Sequence, residues 1–197
     1  MTYKEKLNNL ITKNKGLILT KQLTEAGIPR VYLSNLVNDG LLLKLERGVY
    51  IALSGYDDEL FRYQIKYKKA IYSHQTALFL HDLTDRDPVR YSVTVPEGYN
   101  ASRLRALSFK VYSIKKKLYD LGLSESKTTF GREVKCYNLE RTICDIIRHR
   151  NQIDIAIISD AIKRYAARKD RNVPQLMRYA EKMRVAKQVG LYMEVVL

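Results

Sequence analysis

Few residues in this 197-residue chain are arranged to do chemistry, and their spacing narrows what that chemistry is. Cys136, Cys144 and His149 offer three soft ligands at irregular spacing without a fourth, which reads as core thiols rather than a zinc site. His74 and His81 can share a helix face, but a separation of seven is not metal-ligand spacing on its own, so partly buried packing is expected. Glu133-Val134-Lys135, with Asp120 upstream, faintly echoes the acid-x-Lys arrangement by which some nucleases hold a metal and position water. Glu-x-Lys is common by chance. There is no Gly-rich phosphate loop ending in Gly-Lys-Ser/Thr, no His-Glu-x-x-His and no Gly-x-Ser-x-Gly. The reading is therefore not an enzyme, with no cofactor and no metal. What remains is recognition: Arg30, Ser34, Asn35 and Asn38 carry the donors and acceptors that read base edges in a major groove.

Those four side chains need a helix to present them, and the first 55 residues supply one. Leu7, Leu10 and Ile11 recur at helical spacing and Gly16 stops that helix. After the strand-like triplet Leu17-Ile18-Leu19, Thr20 is the expected N-cap of a short helix over 21–26. Gly27 suits the turn after it, and Pro29 suits the first position of a third helix that ends at Asp39-Gly40. On a wheel advancing about 100° per residue, Leu33, Leu36 and Val37 share one side. Arg30, Val31, Ser34, Asn35 and Asn38 spread over the other, with Tyr32 at the boundary. Leu41–Leu45 and Val49–Leu53 then read as two strands joined by a tight turn at Glu46-Arg47-Gly48. Three helices and a hairpin in this order predict a winged helix-turn-helix. Arg30, Ser34 and Asn35 are expected to reach base edges, with Asn38 on the same face. Thr20, Lys21, Tyr32, Lys44 and Arg47 are expected to hold phosphates or the adjacent minor groove. The competing reading is a winged helix that serves only as a protein-interaction module.

Leu53-Ser54-Gly55-Tyr56-Asp57-Asp58 is the one Gly/Ser/Asp cluster between patterned regions, so the chain divides into 1–55 and 56–197. In the second part a helix is expected from Asp57-Asp58-Glu59 through Leu60, Tyr63, Tyr67 and Ile71. A helix capped by Ser73 follows, then strands at 91–95, 109–114 and 134–137. Asn138 caps a further helix, a longer one covers 153 to about 167, and a last one begins at Pro174. The overall class is α+β, an N-terminal winged helix-turn-helix followed by a mixed α/β domain with terminal helices.

Charge points to the partner. Thirty-five Lys and Arg against 21 Asp and Glu give +14, a field that concentrates polyanions. From Leu60 to Leu118, 12 basic residues face 4 acidic ones. Arg86, Arg90, Arg103, Arg105, Lys110, Lys115, Lys116 and Lys117 lie around the predicted strands as additional phosphate contacts, for DNA beyond the recognition helix or for RNA. As a plain solvated face they need no function. Two cysteines and no membrane-length apolar run predict a cytoplasmic protein without a membrane partner.

Five motifs carry a family resemblance. They are Gly27-Ile28-Pro29 through Leu36-Val37-Asn38-Asp39-Gly40, Leu45-Glu46-Arg47-Gly48-Val49-Tyr50, and Tyr72-Ser73-His74-Gln75-Thr76-Ala77-Leu78. Further on come Ser92-Val93-Thr94-Val95-Pro96-Glu97-Gly98 and Tyr137-Asn138-Leu139-Glu140-Arg141-Thr142-Ile143-Cys144-Asp145, which read as fold signatures at a strand end and a helix start. In this order the chain resembles the AbiEi family, the antitoxins and regulators of the AbiE abortive-infection systems, a type IV toxin–antitoxin class. The resemblance implies repression of its own operon through inverted repeats in the promoter. It also implies a C-terminal domain that neutralises a nucleotidyltransferase-like toxin without forming a stable complex. The alternatives left by the residues alone are an RNA-binding protein, a protein that captures its toxin, and a metal-dependent nuclease.

Overall fold

The computed structural model describes residues 2–53 and 55–194; Met1, the last three residues and Ser54 of the expected linker lie outside it. Two compact units make up the chain, Met1–Arg62 and Tyr63–Leu197, and both mix α and β.

The first unit runs α1 (Tyr3–Lys13), β1 (Leu17–Leu19), α2 (Thr20–Glu25), α3 (Val31–Asn38), β2 (Leu42–Glu46) and β3 (Val49–Ala52). Thr2 begins α1 with a reciprocal cap: its hydroxyl accepts the Glu5 N–H, and the Glu5 carboxylate accepts the Thr2 N–H at 2.9 Å. The sheet order is β1-β3-β2, antiparallel throughout, so the apolar triplet at 17–19 is a third strand beside the expected hairpin. Leu7, Ile18, Leu23, Ile28, Leu33, Leu42 and Ala52 form the core between helices and sheet.

Two expected boundaries move. Thr20 is not the cap of α2 but its first residue, because the extended backbone ends one residue earlier, at Leu19; the Thr20 N–H goes to the carbonyl of Gly48 at 2.9 Å. Leu19 takes the cap position, and its N–H is satisfied by the Gln22 side chain at 3.1 Å. Helix α3 likewise starts at Val31 rather than Pro29; Pro29 and Arg30 form the turn that leads into it.

Gly16 is held at φ +92°, where its N–H reaches Ile11 O and its own carbonyl accepts the Ala52 N–H, both at 2.8 Å. A Cβ there would stand 2.5 Å from the Cα of Gly55, which is backbone and cannot swing away. Gly16→Ala is therefore expected to destabilise the first unit by about 1–3 kcal/mol, read as an earlier urea transition. A variant that unfolds with the wild-type protein would show that this approach is not tight in solution.

The second unit is built on a five-stranded sheet of order β6-β5-β4-β8-β7. Its strands are β4 (Ile71–Tyr72), β5 (Ser92–Pro96), β6 (Lys110–Ile114), β7 (Leu123–Lys127) and β8 (Glu133–Tyr137). β4 pairs antiparallel with β5 and parallel with β8, where Tyr72 faces Cys136. Helix α4 (Glu59–Lys66) lies across the division between units; α5 (His74–Leu80), α6 (Ser102–Ala106) and α7 (Lys116–Tyr119) follow in turn. Next come α8 (Leu139–Arg148), α9 (Ile155–Ala167), α10 (Val173–Met183) and α11 (Ala186–Glu194). Ile143, Ile146, Ile147, Ile158, Ile162, Leu176 and Val189, all buried, make the core of this helical part.

Three expectations are corrected here. The helix at 59 stops at Lys66 instead of running through Ile71, because Ile71 belongs to the middle strand of the sheet. Gln64 fixes that end of α4, hydrogen-bonding the backbone N–H and carbonyl of Lys135 on β8. The helix at Pro174 is not the last, since Arg184 turns left-handed (φ +60°) and α11 follows. Ser73 does stand at the N-cap of α5, but its hydroxyl caps nothing: it bonds His74 Nδ1 and accepts from Thr94 Oγ1, both at 2.9 Å.

Candidate nucleic-acid interface

Helix α3 is amphipathic in the sense its sequence requires. Leu33 is buried and Leu36 and Val37 are half-buried toward the core, while Arg30, Ser34, Asn35 and Asn38 are exposed. Val31, which the sequence put on the polar side but not among the contacts, is 58 % exposed. Gly27 at φ +68° ends α2, and buried Ile28 anchors the turn before α3.

The remaining candidates differ in how free they are. Lys44 and Arg47 are exposed on the β2–β3 hairpin, with Gly48 at φ +84° at its turn. The bond from Thr20 N–H to Gly48 O ties this turn to the first residue of α2. Lys21 is exposed and pairs with Glu25 at 3.4 Å, an ion pair too solvated to withhold it from a phosphate. Tyr32 is half-buried with its ring 5.4 Å from that of Tyr3, so much of its surface is committed to packing. Arg62 is bound at 3.1 Å to Asp57 and 3.2 Å to Glu59, and lies 3.7 Å from Glu46 at the end of β2. It thereby offsets three carboxylates in this unit.

Six of the eight basic residues singled out in the second part line cavities, three separate ones. Arg86, Arg90 and Lys110 line a cavity of about 330 Å³ that also includes Asp87. Arg103 lines another of about 480 Å³ beside Lys66 and Tyr99. Lys115 and Lys117 line a third, of about 160 Å³, with Arg148, Lys182 and Arg184. Arg105 and Lys116 are exposed and line none of these three.

The second unit also buries a polar cluster. His74, at φ +50°, stacks on Tyr112 with ring centroids 3.4 Å apart, and its Nε2 meets His149 Nδ1 at 3.0 Å. Burial holds His74 well below the ordinary imidazole value, with His149, Arg141, Lys110 and Arg148 acting in the same direction. His149 and His81 are lowered too, first by burial. The Tyr112 hydroxyl is pushed up to about 12 for the same reason. Each imidazole then resists a proton that the unfolded chain accepts below about pH 6.5, so stability is fully present above that pH and is lost as pH falls toward the folded pKa. Acidification from about pH 7.5 to 5.5 is expected to lower the urea midpoint of the second unit, with fully buried His74 contributing most. His74→Asn tolerates positive φ and does not titrate, so its profile is expected to be flatter. A midpoint that ignores pH over this range would contradict the neutral histidines.

Cys136 and Cys144 are free, buried thiols, the second pushed up to about 12 by burial. Among the described residues there is no group of three His, Cys, Asp or Glu side chains able to hold a metal. Glu133 and Lys135 are exposed side by side on one face of β8. No helix among the described residues is long and apolar enough to cross a membrane.

The first unit also has a counterpart among known families. Residues 5–52 match the family of AbiEi antitoxin transcriptional regulators. The match spans α1 through β3 and takes in the two N-terminal motifs, 27–40 and 45–50; the other three AbiEi-like motifs lie outside the matched residues. Among solved structures, the RV2827C protein from Mycobacterium tuberculosis resembles this chain with a TM-score of 0.57 at 16 % identity. That likeness covers 92 % of this chain and 72 % of the other, and is one of fold. No protein of curated function matches the sequence.

Proposed function

We propose that the first unit is a winged helix-turn-helix that binds double-stranded DNA, with α3 as recognition helix and the β2–β3 hairpin as wing. In this reading residues 1–55 bind inverted repeats in the promoter of the protein's own operon and repress it. Residues 56–197 carry the antitoxin activity toward a nucleotidyltransferase-like toxin, in the cytoplasm and without a stable toxin complex. The observation that carries the DNA-binding half is the exposed Ser34, Asn35 and Asn38 face of a helix whose opposite side is core, with Arg30 exposed at its N-cap. The family match over the same unit supports it. The autoregulatory and antitoxin roles rest on the resemblance to AbiEi proteins.

The test is a gel-shift titration of the full protein on its own upstream DNA and on a scrambled duplex, at two salt concentrations. Binding that survives higher salt only on the native duplex is the expected result, since contacts to bases do not release counterions. Equal, salt-sensitive binding to both would reduce the reading to the net charge of +14 and favour an RNA partner.

A further inference from the structure

Five cations converge on one small cavity of the second unit. Lys115 and Lys117 come from the start of α7, Arg148 is the last residue of α8, and Lys182 and Arg184 end α10. Leu118 and Met183 complete the lining, and no carboxylate of the described residues lines the cavity. All five are exposed, and none forms an ion pair with a described carboxylate.

Helix C-termini commonly carry basic residues, because the macrodipole favours them. That accounts for Arg148, Lys182 and, in the short α7, Lys117, but not for Lys115 at the N-cap of α7. Nor does it account for Arg184, which occupies a left-handed position (φ +60°) where helix termination favours glycine. Arg184 thus keeps a cation at a position where glycine would relieve backbone strain.

We propose that this cavity binds adjacent phosphate groups, the di- or triphosphate of a small ligand. Five positive charges around about 160 Å³ call for more negative charge than one phosphate carries. The volume is below the ~300 Å³ at which pockets begin to enclose a whole drug-sized ligand, so a base and ribose would remain outside. A nucleic-acid backbone spaces its phosphates by a sugar and delivers less charge to the same space.

Thermal-shift and calorimetric titrations of the full protein, at fixed ionic strength, test this with inorganic pyrophosphate, tripolyphosphate, ATP, orthophosphate and a 5′-hydroxyl single-stranded RNA. Pyrophosphate and tripolyphosphate are expected to raise the melting temperature and to bind about tenfold or more tightly than orthophosphate. ATP binding like tripolyphosphate would identify a nucleotide as the source, and ATP binding worse would identify the free inorganic anion; both support the site. In Lys182→Gln/Arg184→Gly the response is expected to vanish, while the ligand-free protein melts no lower than wild type because glycine relieves the strain of the left-handed turn. Three results would overturn the proposal: orthophosphate working as well as pyrophosphate, the response surviving in the variant, or RNA binding saturably where pyrophosphate does not. A variant that melts earlier without ligand would also overturn it, because the cations would then be structural.

Discussion

Arg141→Ala is expected to destabilise the second unit by about 3–5 kcal/mol, measured by urea unfolding. The Arg141 side chain is fully buried, and its Nε donates to Asp145 at 3.1 Å. Its Nη1 donates to the carbonyls of Leu118 and Leu121, each at 2.7 Å, and the guanidinium lies 4.1 Å from the centre of the Tyr137 ring. Truncation strands a buried carboxylate whose pKa burial already raises, and it leaves two carbonyls without that donor. Arg141→Met combined with Asp145→Leu is expected to recover part of the loss, because the uncompensated charge is gone while the two carbonyls still lack their partner. If the single variant unfolds within about 1 kcal/mol of wild type, water reaches Asp145 and the ion pair is not the dry contact described here. Gly122 belongs to the same construction: a Cβ there would lie 2.5 Å from Arg141 Cβ.

The second large effect concerns DNA. Arg30 at the N-cap of α3 and Asn35 within it are both exposed, and neither is tied to a described carboxylate. If each makes a bidentate contact to a base edge, each is worth about 1–3 kcal/mol of discrimination. Arg30→Ala/Asn35→Ala is then expected to cost about 2–6 kcal/mol on the native promoter, roughly 30- to 10⁴-fold, with little change on scrambled duplex. Lys44→Ala, by contrast, is expected to weaken both duplexes alike and to lower the salt slope by about 1. The double variant retaining wild-type preference for the native promoter would mean that α3 is not the reading helix.

How much of this was legible in the sequence depended on whether a signal was local. Asn138 announces α8 because a cap acts within three residues, and its side chain does accept the Arg141 N–H at 3.0 Å. The amphipathic face of α3 was legible for the same reason. β4 was not: Tyr63, Tyr67 and Ile71 keep a helical spacing, and only pairing with β5 and β8 tells Ile71 that it is a strand. β7 escaped because Leu-Ser-Glu-Ser-Lys has no apolar alternation and owes its conformation to β8. The end of α10 escaped because arginine, not glycine, makes the left-handed turn. Lys115 and Lys117 lie within the basic stretch from Leu60 to Leu118, whereas the fold brings Arg148, Lys182 and Arg184 to them from outside it.

The place of β4 in its sheet bears on the order in which the chain acquires structure during synthesis. The first unit closes its sheet once β3 has been made, since every pairing in it lies between Leu17 and Ala52. The second cannot: its middle strand, Ile71–Tyr72, waits for Cys136 to supply its parallel neighbour, and the helices that complete that core come later still. Short-range contacts form early and long-range parallel pairing late. On the ribosome, therefore, the face bearing Arg30 and Asn35 is assembled while most of the second unit has yet to be translated.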